Sequence, residues 1–470
     1  VTGLLVPRFV RRSEAAARAV PVPLGSAAPK PLRAALAGFG SRAGQVAEIL
    51  TKKHRLLLVR TDADLEAAGA LAVARLLAVE HVAIDARLWQ PADAARFAAG
   101  AAMRAWRFHR HMTRPDPDRP LLTRLDILVA EPKAARAAWA ALAPAIEGAC
   151  YARALVAEPA NMLTPAIFAD RLHLLREHGI TVEVLGPERL AADGFGGILA
   201  VAGGSANPPR LVILRWPGDS DAPPVLFVGK GVTFDTGGVC IKPAIPMWEM
   251  RADMAGAATC AGVMLALARR GSRAPACAVL PLVENMTGAA SYRPGDVLRM
   301  FDGTTVEVVD TDAEGRLILA DALAWGIRTL KPQAVIDLAT LTGSIVTALG
   351  HEMAGLFATD DVLAAHLAAA GAAVGERAWR MPVSEAYRDA LSSDIADTRQ
   401  CSDGRLQPDA CHAALFLRGF VGDTPWMHLD IAGVESREKP SDRHAAGPTG
   451  WGVRLLDRLM QDRFEDPHRG

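Results

Sequence analysis

The stretch VVDTDAEGRLILADAL (308–323) sets three carboxylates at alternate positions, Asp310, Asp312 and Glu314, between two apolar patterns. The β-branched run from Val306 to Val309 reads as a strand, and Leu317 to Thr329 as a helix. Strand, short loop and helix form the repeating unit of an α/β sheet, whose ligands bind beyond the carboxyl ends of the strands. The three acids stand at such an end. Desolvated carboxylates repel one another and cost several kcal/mol unless paired, so a counter-charge has to be supplied. Asp312 and Glu314 project to the same side of an extended chain, so both serve one site.

Outward from that stretch the pattern repeats. VLFVG (225–229), ACAVLPLV (276–283) and AVIDLAT (334–340) read as strands, with a helix from Met254 to Arg270 between the first two. Strands this apolar are buried on both faces. The expectation is an α/β protein of two domains. Residues 151–470 form a mixed, mostly parallel sheet covered by helices on both faces, and residues 1–150 form a smaller N-terminal αβ domain. In that first third, HRLLLVR (54–60), HVAIDARLW (81–89) and RLDILVAEP (124–132) read as strands and DLEAAGALAVARLLAVE (64–80) as a helix. The glycines of GFGSRAG (38–44) read as turn residues, and ESREKPSDRHAAGPTG (435–450) as a surface loop.

Bulk composition excludes several function classes. The 470 residues carry 52 basic and 52 acidic side chains, which leaves no electrostatic footprint for nucleic acid. No apolar run reaches the ~18 residues of a membrane span. Six scattered cysteines without a CxxC pair fit free thiols in a reducing compartment, hence the cytoplasm. The Arg-rich opening VTGLLVPRFVRRSEAAARAV (1–20) lacks the apolar core of a signal peptide and reads as an N-terminal strand. Lysine is scarce, eight residues against 44 arginines, yet Lys230 and Lys242 fall within thirteen residues of each other. Of the two residue types, only lysine readily gives up its proton when buried.

Those two lysines lie in a second strand-end loop, GKGVTFDTGGVCIKPAIPMWEMRADMAGAATCAG (229–262), together with Asp235 and Asp253. Neighbouring parallel strands would bring Asp235 and Asp253 towards Asp312 and Glu314. Two divalent cations are the economical counter-charge for four such acids, and oxygen ligands suit Mg, Mn or Zn. Competing signatures are absent: HEMAG (351–355) has Gly355 where an HExxH helix needs its second His, and no P-loop or GxSxG elbow occurs.

The blocks GKGVTFDTGGVCIKP, ADMAGAA, ENM with YRPGDV (284–297), DTDAEGRL (310–317), DLATLTG (337–343), LVAEPANMLTP (155–165) and HLDIAG (428–433) closely resemble the leucyl (cytosol) aminopeptidase family. The resemblance covers about residues 150 to 460. It implies a dinuclear metallo-exopeptidase. Lys230, Asp235, Asp253, Asp312 and Glu314 would be the ligands of two divalent ions, with Asp235 and Glu314 bridging and the Asp312 carbonyl contributing. Lys242 and Arg316 would be the catalytic pair, Lys242 stabilising the gem-diolate and Arg316 holding a bicarbonate that shuttles protons. Lys230 would ligate as a neutral amine. Met250, Asp310, Thr340, Ala432 and Glu435 would line or border the pocket for the first substrate residue, and Leu341 would supply a backbone contact. Substrates would be peptides with a free N-terminus, and metals Mn or Zn, with Mg and Co possible. A homohexamer, a dimer of trimers, would form with the N-terminal domain serving oligomerisation and cavity access.

Three departures stand out. Asp310 replaces the family's usual Asn, and Glu435 an apolar or small residue. Glu435 either points to solvent or makes an acidic pocket favouring Lys, Arg or polar first residues. The stretch before AALFL, Gly-rich in the family, reads CSDGRLQPDACHAALFL (401–417) with Pro408, Asp409 and His412. Two other readings compete: a dipeptidase of restricted specificity, such as a Cys-Gly hydrolase, and a non-catalytic DNA-binding relative, which zero net charge speaks against.

Overall fold

The computed structural model of the chain describes residues 4–23, 45–50, 55–61, 64–114, 121–403, 408–441 and 444–465. The glycine cluster at 38–44 lies outside the described residues. The chain divides into two compact units, Val1–Cys150 with Arg437–Gly447, and Tyr151–Ser436 with Pro448–Gly470. The second unit is therefore not one continuous stretch, and most of the expected surface loop at 435–450 belongs to the first unit.

The first unit contains β1 (Arg8–Val10), β2 (Ala17–Pro23), β3 (Val46–Leu50), β4 (Arg55–Thr61), β5 (His81–Asp85) and β6 (Arg124–Leu128). They form one sheet in the order β1-β6-β5-β2-β4-β3, parallel except for the β3–β4 pair. Its helices are α1 (Leu65–Ala74) and α2 (Pro91–Ala105), and α3 (Pro132–Val156) follows β6. Asp64 caps α1 by accepting from the Ala67 amide at 2.9 Å, but the helix stops well short of residue 80. β5 likewise ends early, where the Asp85 carboxylate takes the Arg87 guanidinium at 2.8 and 2.6 Å and turns the chain.

In the second unit the strands are β7 (Thr181–Leu185), β8 (Arg210–Trp216), β9 (Val225–Gly229), β10 (Gly231–Asp235), β11 (Ala276–Asn285), β12 (Val297–Arg299), β13 (Thr305–Glu307), β14 (Ala334–Ala339), β15 (Ala354–Ala358), β16 (Ala378–Arg380), β17 (Thr398–Arg399) and β18 (Trp426–Asp430). The helices are α4 (Pro165–Leu172), α5 (Pro187–Asp193), α6 (Gly196–Ala202), α7 (Ala255–Arg270), α8 (Glu314–Leu330), α9 (Gly343–Leu349), α10 (Asp361–Val374), α11 (Asp409–Arg418) and α12 (Val453–Leu459). The main sheet runs β16-β15-β18-β14-β9-β11-β8-β7, with β10 also on β11. The β18-β14-β9-β11 centre is parallel, and antiparallel pairs flank it. This is the mixed, mostly parallel sheet expected.

One expectation is corrected. The run before the acids does not enter the main sheet: β13 pairs with β12 and β17 in a small three-stranded sheet. Val306 and Val308 are fully buried there, so the apolar pattern was genuine while its partner was not.

Alternation along β9 separates the two main helices. Leu226 and Val228 share a buried cluster with Leu317, Ile318 and Leu323 of α8. A Cβ on Gly229 would instead meet Ala257 of α7 at 2.6 Å, so α7 covers the opposite face. Every residue of α7 from Ala255 to Leu267 is buried. Within the sheet, Asp337 of β14 faces His428 of β18 in register, with His428 Nδ1 2.5 Å from Asp337 Oδ1 and Trp426 Nε1 donating to Oδ2 at 2.6 Å. Asp321 of α8 accepts from the Ile198 and Phe301 amides at 2.9 and 2.8 Å, fixing the helix that begins at Glu314. All six cysteines are free thiols, five of them buried. Among the described residues no helix is long and apolar enough to cross a membrane.

Candidate metal centre

The parallel strands deliver their chemistry at one edge. β9 ends into Lys230, β10 ends at Asp235, β11 at Asn285, β14 runs into Thr340, and β18 ends at Asp430. The Lys230 amide donates to Leu338 O at 3.0 Å and its carbonyl accepts from Ala257 at 2.8 Å, which locks the lysine between β14 and α7. Its side chain then lies flat beneath α8. A Cβ on Gly315 would come within 2.6 Å of Lys230 Cε, so a larger residue there would displace the lysine side chain.

Lys230 Nζ contacts Asp253 Oδ1 and Glu314 Oε1 at 2.8 Å each and donates to the Thr340 carbonyl at 2.9 Å. Three acceptors exhaust an ammonium's three protons. Burial opposes the charge, but Asp253, Glu314 and Asp235 outweigh it and hold the Lys230 pKa above the usual lysine value. Lys242 Nζ pairs with Asp235 Oδ2 at 2.8 Å and with Asp312 Oδ1. Burial again opposes its charge, and Asp235, Glu314 and Asp312 raise its pKa. Thus the four expected acids and both lysines converge, four carboxylates against two ammonium groups.

That imbalance leaves its mark. Burial pushes the Asp253 carboxyl up despite Lys230, and burial followed by Asp235 pushes Glu314 up. Asp253 Oδ2 and Glu314 Oε2 are buried without a hydrogen-bond partner. Each such oxygen costs roughly 1–3 kcal/mol as it stands. One carboxylate oxygen from each of Asp235, Asp312 and Glu314 lies within 4.8 Å of the others, close enough to share one cation. Hard oxygen donors with unmet demand fit a divalent ion.

Three residues that the acid pattern did not single out hold the acids in place. Asn285 Nδ2 donates to Asp235 Oδ1 at 2.8 Å and to Thr311 O at 3.0 Å. Tyr292 Oη donates to the same Thr311 carbonyl at 2.7 Å, and Thr311 Oγ1 donates to Gly237 O at 2.6 Å. The turn from Asp235 to Lys242 passes through Gly237 at φ 85° and Gly238 at φ 64°. These neutral groups pose no charge puzzle in the sequence, although all three lie within the quoted ENM, YRPGDV and DTDAEGRL blocks.

The remaining expected residues gather around Asp253 and Asp430. Thr340 Oγ1 donates to Asp253 Oδ1 at 2.6 Å, and the Asp253 amide donates to Met250 O at 3.2 Å. Asp430 accepts from the Leu341 amide at 3.1 Å, the Ala432 amide at 3.3 Å and Thr342 Oγ1 at 2.7 Å. Asp310 Oδ1 accepts from the Asp312 amide at 2.9 Å, so its carboxylate braces the acid loop. Glu435 does not point to solvent: its Oε2 is buried and unpartnered. Burial, with the charges of Asp253 and Asp430, pushes its carboxyl up to about 8. Arg316 is only 3% exposed; Nη1 donates to Gln400 O at 2.9 Å and Nη2 to Asp409 Oδ1 at 3.2 Å.

A model described as the cytosol aminopeptidase family, catalytic domain, matches residues 150–457. A probable cytosol aminopeptidase of Gluconobacter oxydans (strain 621H) is 49% identical over 364 residues, covering 77% of this chain and 74% of that protein. One from Chelativorans sp. (strain BNC1) is 42% identical over 435 residues, covering 92% and 88%. Among solved structures, a bottromycin maturation enzyme in complex with Mn superposes with a TM-score of 0.86 at 35% identity, covering 95% of this chain and 99% of that one. A mutant of tomato leucine aminopeptidase gives 0.85 at 28% identity, covering 97% and 96%.

Proposed function

The chain belongs to the cytosol aminopeptidase family, a group of peptide-bond hydrolases, and we propose that it removes N-terminal residues from peptides with the help of two divalent cations. The observation that carries this reading is the pair of buried, unpartnered oxygens on Asp253 and Glu314 amid four converging acids. Lys230, Asp235, Asp253, Asp312 and Glu314 would hold the ions, with the Asp312 carbonyl a further donor. When bound, such ions acidify a water and polarise a carbonyl. Lys230 would serve such an ion as a neutral amine donor.

The chain's own groups do the rest. Lys242, which stays charged beside Asp235 and Asp312, sets a cation against the carbonyl oxygen as negative charge develops there. Met250, Thr340, Ala432, Asp310 and Glu435 would shape the pocket for the first side chain, and Leu341 would steady the peptide backbone. Gln400 O and the Asp409 carboxylate accept from Arg316 Nη1 and Nη2, while its Nε is buried without a partner and would be the donor left for the expected bicarbonate. No step is routed through that ion.

Manganese is favoured by the Mn-bound structural relative; Zn, Mg and Co suit the same oxygen donors. A homohexamer built as a dimer of trimers and a cytoplasmic setting accompany this reading, the latter supported by the relatives' naming as cytosol enzymes. The test is chelation followed by readdition of Mn or Zn, read as hydrolysis of Leu and Arg amides and as melting temperature. Activity should vanish and return. Metal at 100 times its Kd should stabilise the fold by about 2.7 kcal/mol. Full activity in the chelated protein refutes the proposal.

A further inference from the structure

The peptide between Thr340 and Leu341 stands between two buried charges. Its N–H donates to Asp430 Oδ1 at 3.1 Å, and its carbonyl accepts from Lys230 Nζ at 2.9 Å. A trans peptide is planar and turns its N–H and C=O to opposite sides, so the two bonds hold one rigid unit from its two edges. We propose that Asp430 is a positioning residue for Lys230: by holding the Leu341 amide it fixes the carbonyl that takes a Lys230 proton, and so sets the direction in which the amine presents its lone pair. The inference rests on the two-cation reading above.

Three placements support it. Asp430 is buried and set by strands on both sides, opposite Ala339 of β14 and Gly355 of β15. The Ile431 amide donates to Ala339 O at 2.8 Å and closes β18 against β14 just before the peptide in question. The carboxylate is therefore a fixed post. Next, its bonds are all accepted ones, from the Leu341 and Ala432 amides and from Thr342 Oγ1. An ionised carboxylate only accepts, so the arrangement suits the charged form. A charged acceptor on the N–H polarises the peptide and strengthens its carbonyl as the acceptor for Lys230. Last, Thr340 Oγ1 donates to Asp253 Oδ1 at 2.6 Å, so the residue that receives Lys230 also holds the acid beside it. The Lys230 backbone is already pinned by Leu338 O and the Ala257 amide. What Asp430 adds is orientation at the far end of the side chain.

A neutral amine has two protons and one lone pair. With one proton kept on Thr340 O, the lone pair stays on the side of Asp253 Oδ1 and Glu314 Oε1, each 2.8 Å from Nζ. Without Asp430 the Leu341 amide loses its acceptor, and the peptide can turn its carbonyl away from the lysine. Outer partners of this kind orient the groups that hold a metal and tune its affinity.

The experiment titrates Mn into the metal-free full chain by calorimetry, with melting curves of the metal-free protein alongside. Wild type should take up two ions. Asp430→Ala should weaken one of the two by about 10- to 100-fold and leave the other unaltered. Asp430→Asn, which keeps the shape and an acceptor but not the charge, should weaken the same ion by less. Lys230→Met has no amine to orient and should weaken that ion too, and adding Asp430→Ala to it should cost nothing further, because the two residues act as one unit. Equal weakening of both ions in step with a lower metal-free melting point overturns the proposal, since Asp430 is then only a tie between loops. So does an Ala variant that binds both ions like wild type, or a double variant whose losses add. Where Asp430→Ala yields no folded protein, the Asn variant decides, and affinity for both ions equal to wild type overturns the proposal. Fewer than two ions in wild type would instead reject the two-cation reading.

Discussion

Replacing Glu435 by Met tests its proposed place in the pocket for the first substrate residue. The Glu435 carboxyl is buried, its Oε2 lacks a partner, and Asp253 and Asp430 bear on it electrostatically. A substrate side chain carrying a hydrogen-bond donor supplies the missing partner, and a cationic donor gains most. Hydrogen bonds involving a charged group contribute about 1.5–3 kcal/mol, which converts to roughly 10- to 150-fold in kcat/KM. Leucine offers no donor and leaves the oxygen unmet. Wild type should thus favour Arg or Lys p-nitroanilides over Leu p-nitroanilide by a factor in that range, and Glu435→Met should reduce the ratio to near unity or invert it. Glu435→Gln, which keeps the shape but cannot ionise when a cation approaches, should fall between. Removing an unpartnered buried carboxyl should also leave the Met variant at least as heat-stable as wild type. A strong wild-type preference for Leu that persists unchanged in the Met variant refutes the reasoning.

Gly237→Ala forces a β-carbon into a residue at φ 85°, 2.5 Å from Cys240 O and 3.1 Å from Asp312 Oδ1. The left-handed backbone alone costs roughly 1–2 kcal/mol, and the displaced Asp312 should weaken Mn binding about tenfold or more by calorimetry; unchanged affinity would mean the turn does not position the acid. His428→Gln tests the buried pair in the sheet. Burial opposes the imidazolium, but Asp337 and Asp430 outweigh it and raise its pKa. A raised folded pKa contributes stability that is complete below the unfolded value of about 6.5 and fades as pH climbs through the folded value. The melting-point gap between wild type and variant should therefore be wider near about pH 6 than near about pH 9, and an equal gap would exclude a charged pair.

The central strands were legible because Val225–Gly229, Ala276–Asn285 and Ala334–Ala339 are apolar on both faces. The acids were legible because a charge at a buried strand end demands compensation, and Asp312 and Glu314 share one side. Which sheet received the Val306–Val308 run was not legible, since burial in a three-stranded side sheet and in the main sheet leaves the same apolar signal. Glu435 was misjudged in one of its two readings because exposure of a single loop residue depends on segments far away in sequence. Asn285, Thr311 and Tyr292 are neutral and local patterns do not flag them. Asp409 meets its arginine across 93 positions, a separation that no local spacing rule spans.

The helix that opens behind Asp253 has no outside. With every side chain from Ala255 to Leu267 enclosed, its amide protons can reach deuterium only when the surrounding layers part. Lys230 is bonded to that helix through Ala257, so the edge that carries the acids cannot loosen by local breathing while the body of the unit stays shut. Rigidity at the reactive end is then inherited from global cohesion, and any natural variation in peptide preference has to be written into the loops that overhang it.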